Sequence, residues 1–246
     1  MPSKDSKGVG DPPRARDAHQ HRQRKTGEAR LPPTVAIVVA IALYALLPES
    51  LLIRPRFLIP AIEAVLLVAV VATNPRRITR QTRLSRRLSL LLAGLVVLTN
   101  LLSLGLLIHD LVSKTDAKGS ALLLAALQVW GTNVIAFAVT YWEMDRGGPV
   151  SRTQQPRQKL PLADFRWSQD ENADDVQEVA AGSSIKADWI PTFIDYLYLS
   201  TTNSSAFSPT DTMPLSSRAK ALMGIQATTA LMTSLLVIAK AVSALS

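Results

Sequence analysis

The sequence predicts an all-α, polytopic transmembrane helix bundle, five spans plus one re-entrant or interfacial helix before the last span. Three observations carry that prediction. Apolar residues come in blocks of roughly 20, the length a helix rising about 1.5 Å per residue needs to cross bilayer hydrocarbon. Cations gather at the ends of those blocks, although the average composition, 48% hydrophobic and 19% charged, is that of a soluble protein. One apolar stretch of only about a dozen residues, Trp189 to Ser200, is too short to cross and precedes the last block.

Residues 1–30 hold eight Lys/Arg against four acids. So little of this stretch can be buried that it reads as a disordered basic cytoplasmic tail. The four-helix transmembrane region follows, residues 31–142. Its first span runs from about Pro33 to Ile53, opened by a proline whose missing N–H costs nothing in a first turn and interrupted late by Pro48 and Glu49. After Arg54-Pro55-Arg56 the second span runs from Phe57 to Thr73 and stops at Asn74-Pro75, near the lower length limit for crossing.

Residues 76–87 contain Arg76, Arg77, Arg80, Arg83, Arg86 and Arg87 with no acid. Arginines packed beside two spans place this loop on the cytoplasmic side and favour contact with anionic lipid headgroups. The third span covers Leu88 to Ile108 with Thr99, Asn100 and Ser103; the fourth covers Leu122 to Trp142 with Gln128, Thr132 and Asn133. Amides inside a bilayer ordinarily bond across to a neighbouring helix. Trp130, Val134, Phe137 and Tyr141 recur at 3–4 spacing and share one face, a packing stripe.

Residues 143–187 read as a cytoplasmic polar and acidic loop of loose structure, with Asp170, Glu171, Asp174, Asp175 and Glu178 as a solvated run. A calcium loop fails there, since its sixth position is Asp175 rather than glycine and its twelfth is Ala181 rather than glutamate. Residues 188–246 supply the short segment and the final span. Cations decide the orientation: eight in the tail, six in residues 76–87 and five from Arg146 to Arg166 stand inside, against two pairs, Arg54/Arg56 and Lys114/Lys118, outside. The C-terminus then emerges outside, provided that residues 189–207 dip into the membrane or lie on it without crossing.

An ionisable residue inside an apolar span is a functional candidate by default, and Glu63 is one. Lys240 lies at a similar depth on the last helix, where Gln226, Thr229 and Thr233 form a polar stripe with it. We expect an intramembrane polar site of Glu63, Lys240, Gln226, Asn100 and Asn133, with Glu63 facing Lys240. The alternative has Lys240 snorkelling to the surface and Glu63 bonded to a hydroxyl or backbone group. Asp195, Thr201, Thr202, Asn203 and Asp211 would line the mouth and turn of the short segment.

No protease, esterase, phosphate-loop or dinucleotide motif is present, so the chain does not read as an enzyme and no cofactor or metal site is expected. It has no cysteine. The net charge of +8 sits beside apolar spans, the pattern of orientation rather than nucleic-acid binding.

Two stretches, YWEMDRGGP (141–149) and DYLYLSTTNSSAFSPTDTMPLSSRAKALM (195–223), resemble signatures of an uncharacterised bacterial family of multi-pass membrane proteins. The resemblance covers most of the membrane part from the third span onward and implies a bacterial plasma (inner) membrane location. A weaker likeness is to the pore-helix and inner-helix unit of tetrameric cation channels. Residues 196–202 stand at the aromatic, threonine-rich pore helix and residues 206–211 at the filter, but the GYG of a potassium filter is missing. Two classes of function follow: a channel- or transporter-like protein, or a non-transporting membrane scaffold that binds a partner. Either admits a homo-oligomer.

Overall fold

The structure is a computed structural model that describes residues 27–74, 76–80, 82–113, 119–171, 176–186, 188–205 and 212–243. The tail up to residue 26 and Asp211 lie outside them, as do the side chains of Lys240 and the residues after it. The protein is mostly helical. Helix α1 (Leu31–Ala45) begins on Pro32 and Pro33 and stops before Pro48, so it is shorter than the sequence predicts. A single 3₁₀ turn, Glu49–Leu51, leads towards α2 (Leu58–Thr73), whose span was expected almost to the residue. Asn74 then folds the next loop around its amide. Its Oδ1 accepts the N–H groups of Thr79 and Arg80, and its Nδ2 donates to the Arg80 carbonyl at 2.7 Å.

That loop returns to the start of α1, where β1 (Glu28–Ala29) pairs antiparallel with β2 (Arg77–Ile78). Helix α3 (Arg83–Ser113) is capped reciprocally by Thr82 and Ser85, each side chain taking the other's backbone N–H at 3.0 Å. Helix α4 (Gly119–Met144) is the axis of the molecule and packs against α1, α3 and two later helices. Of its most apolar window 67% is buried, against 28% for the final helix.

Among the described residues three helices are long and apolar enough to cross a membrane, over Arg83–Asp110, Ala121–Gly147 and Ser217–Ala239. Helices α1 and α2, of 15 and 16 residues, are apolar but shorter. At about 1.5 Å per residue they reach roughly 22–24 Å, less than the ~30 Å of a typical hydrocarbon core. Val38, Val65, Leu91, Leu98, Leu127 and Leu235 point outward as an apolar belt. In water such a belt would be an aggregation surface; against lipid it is the ordinary exterior.

The bundle has two distinct ends. At the arginine end stand Arg30, Arg86 and Glu143. The far end is sealed by Tyr44, Leu47, Leu51, Leu107 and Leu122, with Leu236 and Val237 packed on them. The polar region after α4 is folded, where a loose linker was expected. It comprises a 3₁₀ turn (Asp145–Gly147), α5 (Pro149–Gln154), β3 (Phe165–Trp167) and α6 (Gln177–Ala180). Alternation explains the difference: Phe165 and Trp167 bury on one side of β3 while Arg166 faces out.

Helix α7 (Phe193–Ser204) starts at the arginine end, with the Phe193 ring edge-on to Trp142 at 5.9 Å. It then runs back along α4. Ser200 Oγ donates to the Val134 carbonyl at 2.6 Å, and Trp130 Nε1 donates to the Ser204 carbonyl at 3.3 Å. From residue 142 to residue 130 of α4 is about 18 Å along the axis, so α7 ends near mid-bundle. By β4 (Thr212–Pro214) the chain is back at the arginine end, paired antiparallel with β3 in the register Trp167↔Thr212. Helix α8 (Ser217–Ser243) sets out from there and runs to the far cluster. Residue 28 and the last turns of α8 therefore lie at opposite ends.

Candidate functional site

The half-depth limb is lodged by polar bonds, which is why its sequence is both aromatic and hydroxyl-rich. Thr192 and Asp195 form a capping box, with Asp195 Oδ2 accepting the Thr192 N–H at 2.7 Å and its hydroxyl at 2.8 Å. Glu28, from the segment before α1, adds a second carboxylate: its Oε1 accepts the Phe193 N–H at 2.7 Å and Trp142 Nε1 at 2.9 Å. Negative charge suits this end, where α7's unbonded N–H groups gather.

Deeper in, Gln226 of α8 is the hub. Its Oε1 accepts the Tyr141 hydroxyl at 2.6 Å and Asn203 Nδ2 at 2.8 Å. Its Nε2 donates to the Ser200 carbonyl, the Ser200 hydroxyl and the Ser204 hydroxyl at 3.0, 2.6 and 2.7 Å. Asn203 Nδ2 also reaches the Met223 carbonyl. One amide thus ties α4, α7 and α8 together where no water competes. Thr201 and Thr202 return their hydroxyls to carbonyls of their own helix, the usual resource of threonine in an apolar setting.

A collar of buried charge surrounds the limb's mouth. Asp145, fully buried, accepts the Tyr196 hydroxyl at 2.6 Å and the Asp164 N–H at 2.8 Å. Arg152, 1% exposed, donates from Nη1 to the Trp142 and Asp145 carbonyls, closing the last turn of α4. Its Nη2 stands 3.6 Å from Glu28, and its guanidinium lies over the Tyr196 ring at 4.9 Å. Asp164 holds Arg218 of α8 through both carboxylate oxygens. Rings of Phe165, Trp167, Trp189 and Tyr196 fill the space between in edge-on or tilted pairs.

The YWEMDRGGP stretch explains itself here. Arg146, Gly147 and Gly148 have φ of 50°, 78° and 92°, a run of left-handed backbone that glycine tolerates and arginine adopts only when held. What holds it is Asp170, whose Oδ2 takes Arg146 at 2.7 Å while its Oδ1 takes Arg157 at 3.1 Å and the Ser184 hydroxyl at 2.6 Å. Burial alone would raise the Asp170 pKa. The Ser184 hydrogen bond and the Arg146 charge outweigh it and hold the carboxyl below its usual value. Glu28 goes the other way: burial pushes its carboxyl up against the opposing pull of Arg152.

Glu63 is 2% exposed and faces the interior, as the sequence requires, with its Oε1 accepting the Thr99 hydroxyl at 3.2 Å. This is the hydroxyl partner of the alternative reading; the expected partner, Lys240, has its side chain outside the described residues. Asn100 Nδ2 donates to the Val129 carbonyl at 2.8 Å, the cross-helix amide bond expected of it. Asn133 is buried with neither amide atom bonded among the described residues. Glu63 and the Gln226 hub belong to different helix pairs, α2–α3 and α4–α7–α8. Sequence reasoning missed Glu28, Arg152, Asp164 and Asp170 as structural charges, whereas Asp145 and Arg146 do pair, at 3.6 Å, in the ion cluster expected beside Gly147 and Gly148.

Clefts open at the arginine end. One is lined by Arg146, Arg152, Arg157 and Trp189. Two shallower grooves meet at Arg30 and Glu143. None of these reaches Glu63 or the deep end of α7. No family model matches the chain, nor does any curated protein or any solved structure.

Proposed function

We propose that the chain is an integral membrane protein of five crossings with α7 as a re-entrant limb, and that it is channel- or transporter-like. The observation that supports this reading is the limb itself, which enters from the arginine end, stops half-way and leaves by the same end. Irregular backbone at membrane depth persists only against protein or a water-lined path. A half-helix ending at mid-bundle presents carbonyl oxygens there, the groups that hold cations in transporters built on broken helices. Ser204 and Ser205, with Thr201 and Thr202 a turn earlier, stand at that end.

In this reading α1 and α2 also cross, the bilayer thinning locally around them. Arginine bias puts the arginine end in the cytoplasm and the C-terminus outside, in a bacterial plasma membrane. The exposed arginines of residues 76–87 then meet anionic headgroups, and a homo-oligomer is compatible with the outward apolar faces. The likeness to the bacterial family supports the membrane location alone, and the weaker likeness to the pore unit of cation channels supports the channel-like role.

A second reading, a non-transporting scaffold, is favoured by the hub, because buried side chains bonded to one another tie α4, α7 and α8 together. Single cysteines at Thr201, Thr202 and Ser205 in the cysteine-free chain separate the two. A membrane-impermeant thiol reagent labels at least one of them from the arginine end if a path exists. Complete protection at all three, with no solute flux in proteoliposomes, removes the channel reading.

A further inference from the structure

Where α1 and α3 begin and α2 and α4 end, two narrow surface grooves share Arg30, Val70, Ser89 and Glu143. The outer one is polar, walled by Arg30, Arg80 and Arg86 with Asn74 and Ser85. The inner one is apolar, running along Ile37, Val70, Leu92 and Val139. Three guanidinium groups therefore face a single carboxylate, Glu143, and Arg86 already engages it at 2.7 Å. Arg30 is 8% exposed, and its Nε has no hydrogen-bond partner among the described residues. Burial lowers its pKa while the nearby Glu143 charge opposes the shift. A buried cation with an unused donor is costly unless an anion answers it.

We propose that this double groove binds an anionic phospholipid, its phosphate held by Arg30 and Arg80 and the start of its acyl chain laid over Thr34 at the rim of the apolar groove. The proposal rests on the membrane placement above and goes beyond the general attraction of exposed arginines. A free phosphate has no use for the apolar half of the groove. A zwitterionic phospholipid carries the same phosphate but brings a quaternary ammonium that Arg30, Arg80 and Arg86 together repel. Charge-assisted bonds from guanidinium to phosphate are the strongest contacts available there, whereas the other exposed arginines, Arg83 and Arg87, offer headgroups only a screened surface charge.

The test uses the full chain in nanodiscs of phosphatidylcholine doped with phosphatidylglycerol, following thermal stabilisation against the anionic fraction. Inorganic phosphate is titrated in detergent as a separate arm. We expect stabilisation by phosphatidylglycerol and none by phosphate. Arg30→Gln and Arg80→Gln each weaken the apparent affinity about tenfold, the worth of roughly 1.4 kcal/mol, while Arg83→Gln and Arg87→Gln leave it within twofold. Arg80 is exposed, so its variant stays informative should the Arg30 variant fail to fold. Equal response of all four variants, or saturation of the effect by phosphate alone, overturns the proposal. Failure of the membrane placement has its own signature, a chain that does not enter nanodiscs at all.

Discussion

Replacing Gln226 with methionine keeps the volume of the side chain and removes every bond it makes. The structure sets the size of the effect. Gln226 makes five inter-helical hydrogen bonds, and within membranes such bonds average about 0.6 kcal/mol each, or roughly 3 kcal/mol together. Counting orphaned groups gives a similar figure. Asn203 keeps the Met223 carbonyl and Ser200 keeps Val134, but the buried Tyr141 hydroxyl loses its partner, at about 1–3 kcal/mol. We therefore expect Gln226→Met to destabilise the protein by about 2–3 kcal/mol in reversible unfolding from mixed micelles. The loss should fall on α7, so a cysteine at Ser205 reacts faster in the variant. A change below about 0.5 kcal/mol, with Ser205 reactivity unaltered, would refute the idea that this amide anchors the limb.

Arg86→Met leaves the Glu143 carboxylate buried without its closest cation and should cost about 2–3 kcal/mol, since Arg30 and Arg152 remain nearby; adding Glu143→Met should recover most of it in a double-mutant cycle. Gly148→Ala should cost about 1–3 kcal/mol, because an alanine is strained at φ 92° and its Cβ would collide with the Arg86 guanidinium; unchanged stability contradicts the turn geometry. For Asp170 the folded pKa lies below the unfolded value of about 3.9, so its contribution is full above that pH and is lost as pH falls through the folded value. Asp170→Asn should therefore flatten the acid limb of a melting-temperature profile below about pH 4, and an unchanged limb argues against it.

Helix positions were legible because apolar length and flanking arginines are local signals. The second, third and fourth apolar helices fall where the sequence puts them, and Glu63 of α2 is buried. The short segment before the last helix was legible as a brief helix, and α7 has 12 residues. What escaped was whatever depends on partners distant in sequence. Glu28 meets Phe193, and Asp145 meets Tyr196, through backbone paths that no periodicity encodes. The 143–187 region read as a linker because its charges looked solvated, yet Asp170 pairs with Arg146 and Arg157 beside Phe165 and Trp167, while Asp174 and Asp175 lie outside the described residues. The first helix ended early at Ala45 because Pro48 outweighs the apolar residues that follow.

The account turns on α7 entering and leaving the bundle at one end. Single cysteines at Arg80, Thr192, Leu215, Ser50 and Ser243, probed in sealed vesicles with an impermeant thiol reagent, measure this directly. The first three should label from one side of the membrane and the last two from the other. Labelling of Thr192 and Leu215 from opposite sides would make α7 a crossing and end the account.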